Sequence, residues 1–326
     1  MMLIRPRRNR RTPSIRGLVR ENQVKAGDFI YPLFIVEGEK QKQEIASMPG
    51  VYRWSPDLLI EHAKEAFGLG ILSVALFPCL DSKLKDSRAK ESINPKGLLQ
   101  RTVRALKEAC PELCVITDVA MDPYSSDGHD GLVEKGKILN DPSLEILSQM
   151  AVSQAKAGAD LVAPSDMMDG RVKAIREALD QDGFQDVGIL SYSAKYASGF
   201  YGPFREALDS APKSGDKKTY QMDPANSKEA LREVLLDIEE GADMVMVKPA
   251  MPYLDVIREV KERVDVPVAA YQVSGEYAMI QCAAEKAYLD LHSARDESLL
   301  SIKRAGADII LSYFAFDYCK DTDERS

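Results

Sequence analysis

No apolar run in this chain approaches the roughly 20 residues that a helix needs to cross a bilayer, which argues against a membrane-spanning protein. The opening stretch, Met1-Met-Leu-Ile-Arg5-Pro-Arg-Arg, has only four apolar residues before a basic cluster. That is the reverse of a secretory signal, so a cytoplasmic location is expected. Cysteine is scarce. The five residues Cys79, Cys110, Cys114, Cys282 and Cys319 form no C-x-x-C pair, and their odd count leaves one over. Structural zinc and a disulfide framework are both disfavoured. Cys110 and Cys114 are spaced like ligands, but a proline intervenes and no histidine is near, so they read as small core hydrophobes. No G-x-G-x-x-G or G-x-x-x-x-G-K-[ST] follows the first apolar runs, which argues against dinucleotide and nucleotide binding.

What is present is ordinary in bulk and lopsided in charge. At 326 residues, 45% hydrophobic and 29% charged, the chain can bury a large core. Residues 1–25 hold seven arginines and Lys25 against Glu21 alone, a balance of +7, so a total of −8 leaves −15 on the remainder. A basic arm on an acidic body could bind nucleic acid, but the arm has no aromatic residue to stack on bases and the body would repel phosphate. The expectation is an arm (1–25) reaching over the acidic surface of a neighbouring copy in a homo-oligomer, with no nucleic-acid or membrane partner.

After the arm, strand-like and helix-like segments alternate through 26–326. Short, continuous apolar runs at 29–36, 71–77, 113–119, 159–163, 187–192, 242–247, 267–273 and 307–314 suit parallel strands covered on both faces. Amphipathic stretches lie between them at 56–69, 97–109, 143–157, 171–182, 227–240, 253–263 and 276–305, the last long enough for two helices. Gly158-Ala-Asp160, Gly241-Ala-Asp243 and Gly306-Ala-Asp308 each sit between a helical pattern and an apolar run, marking helix-to-strand joints. Eight strands with helical crossovers predict an α/β fold, a (β/α)₈ TIM barrel, with no second domain. The one long irregular stretch, 198–226, reads as a lid.

Strand C-termini face the mouth of such a barrel. Lys195 ends the fifth apolar region and Lys248 the sixth. Two readings stand: each ammonium snorkels to solvent, or the pair sits desolvated in one mouth, each raising the cost of charging the other, as a Schiff-base lysine requires. Asp118 ends the third strand and suits a polar active-site role. Asp122, Asp127 and Asp130 follow around His129, where they could hold Mg²⁺, tune proton transfer or simply cap turns. The lid carries Arg205, Lys213, Lys217, Lys218 and Gln221, which suit a carboxylate-bearing substrate or are solvated charge. Ser274 and Tyr313, ending strands seven and eight, could bind a second carboxylate or cap strands.

The segments Asp118-Val-Ala-Met-Asp-Pro-Tyr-Ser-Ser-Asp-Gly-His-Asp-Gly131, Ala163-Pro-Ser-Asp-Met-Met-Asp-Gly-Arg171, Ser191-Tyr-Ser-Ala-Lys-Tyr-Ala-Ser198, Phe200-Tyr-Gly-Pro-Phe-Arg205, Gly215-Asp-Lys-Lys-Thr-Tyr-Gln-Met-Asp-Pro224, Met246-Val-Lys-Pro249 and Val273-Ser-Gly-Glu-Tyr277 together resemble the porphobilinogen synthase (5-aminolevulinate dehydratase) family, nearly end to end. The resemblance implies a (β/α)₈ lyase that condenses two 5-aminolevulinate molecules to porphobilinogen with loss of two waters, in tetrapyrrole biosynthesis. It also implies a homo-octamer gripped by its arms.

By motif, it implies that Lys248 forms one Schiff base and Lys195 the other. Ser274 and Tyr313 would bind one substrate carboxylate, and Arg205, Lys217 and Gln221 the second. In the family's zinc-dependent branch three cysteines follow the third strand; here those positions are Ala120, Asp122 and Asp130. Hard oxygen ligands favour Mg²⁺ over Zn²⁺. The chain therefore resembles the magnesium-responsive branch, with an allosteric Mg²⁺ at Glu233, Asp169 in its outer shell and no active-site zinc. Lys217 stands where some members have arginine, which keeps the charge and loses the bidentate fork. A class I aldolase-type lyase is the alternative enzyme, and a basic-armed binding protein the non-enzymatic one.

Overall fold

The structure is a computed structural model and describes residues 2–324. Met1 of the arm and Arg325 and Ser326 at the end of the barrel segment lie outside the described residues. Eight parallel strands run in chain order: Phe29–Ile35, Ser73–Pro78, Cys114–Val119, Leu161–Pro164, Gly188–Lys195, Met244–Lys248, Val268–Gln272 and Ile309–Ser312. Each pairs with the next, and the eighth pairs back to the first through Phe29↔Ile310 and Ile30↔Leu311, so the sheet closes. Helices on the outside bury one stripe each, and the strands are buried almost throughout, which is why they read as unbroken apolar runs. No helix among the described residues is long and apolar enough to cross a membrane.

The Gly-Ala-Asp repeat has a physical cause. Gly158, Gly241 and Gly306 take positive φ at the ends of three helices, and the aspartate two residues on reaches the start of the preceding strand. Asp160 accepts from the Val115 N–H at 2.7 Å, Asp243 from Ile189 at 2.7 Å and Asp308 from Val268 at 2.8 Å. Each carboxylate satisfies a strand-end donor at the barrel floor that the ladder leaves over.

Two expectations change and a third is met. The fifth strand continues past Tyr192 to Lys195, with a bulge that adds one residue to it opposite Val245–Val247. The lid is not irregular throughout: a 3₁₀ turn at Gly199–Tyr201 leads into a helix, Gly202–Leu208, with Pro203 in its first turn. As expected, the stretch 276–305 holds two helices, Ser274–Glu285 and Leu291–Ala305, and a further helix, Ala315–Asp323, packs on the first strand through Phe29 and Tyr318. In the arm, the turn Pro6–Arg10 and helix Pro13–Leu18 bury no residue, and Leu3 and Leu18 are 80% and 86% exposed.

Candidate active site

The bulge in the fifth strand aligns the two lysines. With the extra residue accommodated, Lys195 pairs directly with Lys248 at the C-terminal ends of adjacent strands. A bulge re-aims side chains without ending the ladder, and no period-two pattern reveals it. Both lysines are buried, at 6% exposure each; neither snorkels.

They are unequal, which corrects the symmetric expectation. Lys248 makes no ion pair among the described residues; its Nζ lies 4.3–5.3 Å from the ring centres of Tyr271, Tyr192, Phe204 and Tyr201. Burial first, and then the neighbouring Lys195, bring the Lys248 amine down to about 7, against the pull of Asp118, Asp122 and Asp130. Lys195 instead donates to the Ser165 carbonyl and lies 3.4 Å from the Asp130 carboxylate.

The acids are also sorted by surroundings. Asp118 is pushed up to about 7 by burial and then by Asp122, while Lys195, the Ser165 hydroxyl and Lys248 pull the other way. Asp130 is fully buried, which alone would raise its carboxyl, yet Lys195 and Lys217 hold it at about 2. Lys217 reaches in from the lid to Asp130 at 2.7 Å and Asp122 at 3.2 Å. Three lysines and three aspartates thus share one water-poor mouth, with proton acceptors and donors poised on both sides of neutrality.

His129 and Asp127 do not join that cluster. The His129 ring bonds to the Tyr220 hydroxyl at 3.1 Å and the Ser214 carbonyl at 2.9 Å, and the Asp127 carbonyl accepts from Lys213. They fasten the lid rather than face the lysines. Other lid fastenings were invisible in sequence. Arg53 donates to the carbonyls of Glu206 and Ala207, and Lys85 to those of Leu208 and Asp209, capping the lid helix. A Cβ on Gly275 would lie 2.6 Å from the Phe200 carbonyl oxygen, and one on Gly128 2.4 Å from that of Ala211. Only glycine admits the lid backbone at these two places.

The remaining expected residues lie around this mouth or in the lid, but Ser274 opens a helix and Tyr313 follows the eighth strand instead of ending strands. Ser274 accepts at Oγ from the Phe204 N–H at 3.0 Å, and the Tyr313 hydroxyl bonds to that of Tyr271 at 2.7 Å. Arg205 is half-buried on the lid helix and makes no ion pair among the described residues. Gln221 is buried, and its Oε1 finds no hydrogen-bond partner among the described residues. Sequence reasoning missed the aromatic box around Lys248, because Tyr192, Tyr201, Phe204 and Tyr271 come from two strands and the lid.

Glu233 and Asp169 line a separate cavity of about 310 Å³ with Asn140, Asp223, Asn226 and Glu229, beneath the lid segment 218–223. Burial raises the Glu233 carboxyl, and nearby Asp237, Asp169 and Glu229 raise it further against Arg171. The lining carries hard oxygen donors, with Asp169, Asp223, Glu229 and Glu233 outnumbering Lys218. Among the described residues no three acidic, histidine or cysteine side chains are close enough to clasp an ion directly, so an ion here would keep much of its water.

A family model described as delta-aminolevulinic acid dehydratase matches residues 3–321. The delta-aminolevulinic acid dehydratase of Bradyrhizobium diazoefficiens is 57% identical over 315 residues, spanning 96% of this chain and 89% of that protein. A chloroplastic one from Physcomitrium patens is 57% identical over 318 residues, 97% of this chain and 73% of its own length. The crystal structure of delta-aminolevulinic acid dehydratase (porphobilinogen synthase) from Toxoplasma gondii ME49, in complex with the reaction product porphobilinogen, superposes with a TM-score of 0.98 at 52% identity. That match covers 100% of this chain and 93% of the other.

Proposed function

This chain belongs to the delta-aminolevulinic acid dehydratase family, lyases that condense two 5-aminolevulinate molecules to porphobilinogen, and we propose that it does so through imines on Lys248 and Lys195. The observation that carries this is the pairing of two buried lysines across adjacent strand ends. Lys248, held near neutrality in its pKa, attacks one ketone as the free amine, and Lys195 attacks the other once it has given up its proton. Each ketone oxygen leaves as water, which accounts for the two waters lost. An iminium acidifies the adjacent carbon, so a carbon–carbon bond can form at neutral pH. The substrate amine then displaces one lysine and elimination releases the other.

Asp118, poised at about 7, is the group suited to carry protons between these steps. Asp130 stays ionised and orients Lys195 and Lys217. Ser274 and Tyr313 hold the carboxylate of the substrate on Lys248. Arg205, Lys217 and Gln221 hold the other, for which Lys217 must exchange aspartate for substrate oxygen. Fixing both substrates in one closed mouth removes much of the entropic barrier.

The chain falls in the magnesium-responsive branch on this reading. Ala120, Asp122 and Asp130 offer no thiolate for zinc, and Lys217 already occupies both aspartates. The oxygen-lined cavity at Glu233 and Asp169 fits Mg²⁺, which dehydrates reluctantly and is bound through few carboxylates. Bound there, Mg²⁺ would neutralise the acids beneath the lid and favour its closed position. After EDTA treatment, a porphobilinogen assay with added Mg²⁺ should recover activity, and Glu233→Ala should lose that response while keeping basal turnover. Restoration by Zn²⁺ alone would overturn the assignment.

The arm, residues 1–25, binds a neighbouring subunit in a homo-octamer. Its support is the folded but uncovered helix Pro13–Leu18 and its exposed Leu3, Ile4 and Leu18. Light scattering on a chain lacking residues 1–25 should report a smaller assembly, and an unchanged mass would count against the arm. The cysteines are all unpaired, in keeping with a reducing compartment such as cytoplasm.

A further inference from the structure

The carboxylate of Glu276 touches neither lysine, yet it sits where two halves of the site meet. It is fully buried. As the third residue of the helix Ser274–Glu285 it turns back to accept from the Val273 N–H at 2.6 Å, the ordinary work of a helix-capping glutamate. Its other contacts are not ordinary. Oε1 accepts from Met251 at 2.6 Å and Oε2 from Ala250 at 3.3 Å, across on the loop that follows the sixth strand. Pro249 has no N–H, so these are the first two backbone donors after Lys248. One side chain therefore binds the segment just past Lys248 and the residue just before Ser274.

We propose that Glu276 is a positioning residue that fixes the Lys248 strand tip against the helix start at Ser274, so that imine formation and carboxylate binding share one rigid frame. The proposal rests on Lys248 and Ser274 having the roles given above. Its logic is geometric. Lys248 has no carboxylate partner among the described residues, and its place in the aromatic box is set by its backbone, whose carbonyl is held by the Tyr196 N–H at 3.0 Å and the Tyr201 hydroxyl at 3.2 Å. Glu276 supplies the corresponding hold on the far side. The groups that set the charge state of Lys248 are Lys195, Asp118, Asp122 and Asp130. Tyr192, Tyr201 and Tyr271 face it as rings, and Glu276 acts on it only through the backbone.

The test is borohydride trapping of 5-aminolevulinate on Lys248, measured per folded molecule against substrate concentration in the full-length protein and in Glu276→Gln. The amide keeps the shape, but its NH₂ would face backbone donors. Trapping at saturation should slow by about 100-fold, the scale on which a misplacement of about 1 Å costs rate, and half-saturation should need more substrate.

A loss of thermal stability with normal trapping per folded molecule would mean a purely structural cap and overturn the proposal. A change in only one of the two quantities would overturn the claim that both the strand tip and the helix start are served. Should Glu276→Gln fail to fold, Glu276→Asp decides by the same two quantities, since it keeps the charge but withdraws it by one methylene. If the unaltered protein gives no adduct at Lys248, the imine assignment itself falls and this proposal with it. An adduct that forms equally fast in the variants removes Glu276 alone.

Discussion

Lys248→Met should lose turnover by on the order of 10⁶-fold, the scale seen when a covalent nucleophile is deleted, while the barrel stays folded. Methionine matches the buried stem of lysine and suits the box of Tyr192, Tyr201, Phe204 and Tyr271. Removing a desolvated amine that has no ion partner among the described residues leaves no charge stranded, so thermal stability should hold or rise. The unaltered enzyme carries a companion signature in pH. With Lys248 at about 7, about half of its amine is free at pH 7, against roughly one part in 3,000 for an ordinary lysine. Only the free amine attacks a ketone, so imine formation should climb as pH rises through about 7 and then level. A climb centred several pH units higher would show that burial and Lys195 do not free this amine. Turnover surviving in Lys248→Met would remove the imine chemistry altogether.

Which parts of this were legible in advance follows from the range of the forces involved. The barrel was, because a strand covered on both faces must be apolar throughout, and because a helix-ending glycine followed by aspartate recurs at three floor joints. The lysines were, because cations at the ends of apolar runs are costly and therefore conspicuous. Their inequality was not. It depends on Asp130 approaching Lys195 and on four rings drawn from distant segments surrounding Lys248, contacts set by the closed barrel rather than by local pattern.

The lid helix Gly202–Leu208 was hidden for a different reason. Its flanks are rich in Gly, Pro and Lys, and its C-terminus is capped by Arg53 and Lys85, more than a hundred residues earlier in the chain. A seven-residue helix is too short to stand on propensity alone. Glu276 was visible only as part of a motif. Capping explains one of its bonds, and the other two appear once the sixth and seventh strands lie side by side.

Lys195→Met should separate the two imines. Turnover should fall by at least about 10³-fold, since the second ketone loses its activating amine, but 5-aminolevulinate should still be trapped by borohydride at Lys248. The pH dependence of that trapping carries a sign. Lys195 is the largest charge holding the Lys248 amine down. Deleting it removes a repelling cation and also leaves Asp130 with Lys217 as its one lysine partner among the described residues. Both changes favour the protonated form of Lys248, so the pH at which trapping reaches half its maximum should move upward from about 7. Asp130 itself, now held at about 2 by Lys195 and Lys217 together, should titrate higher. Mass spectrometry of the reduced protein across a pH series reads both outcomes. Trapping that is lost along with turnover would mean that the lysines act as one unit in the first imine. A midpoint that stays put or moves down would mean that Lys195 does not set the charge on Lys248, whatever their register.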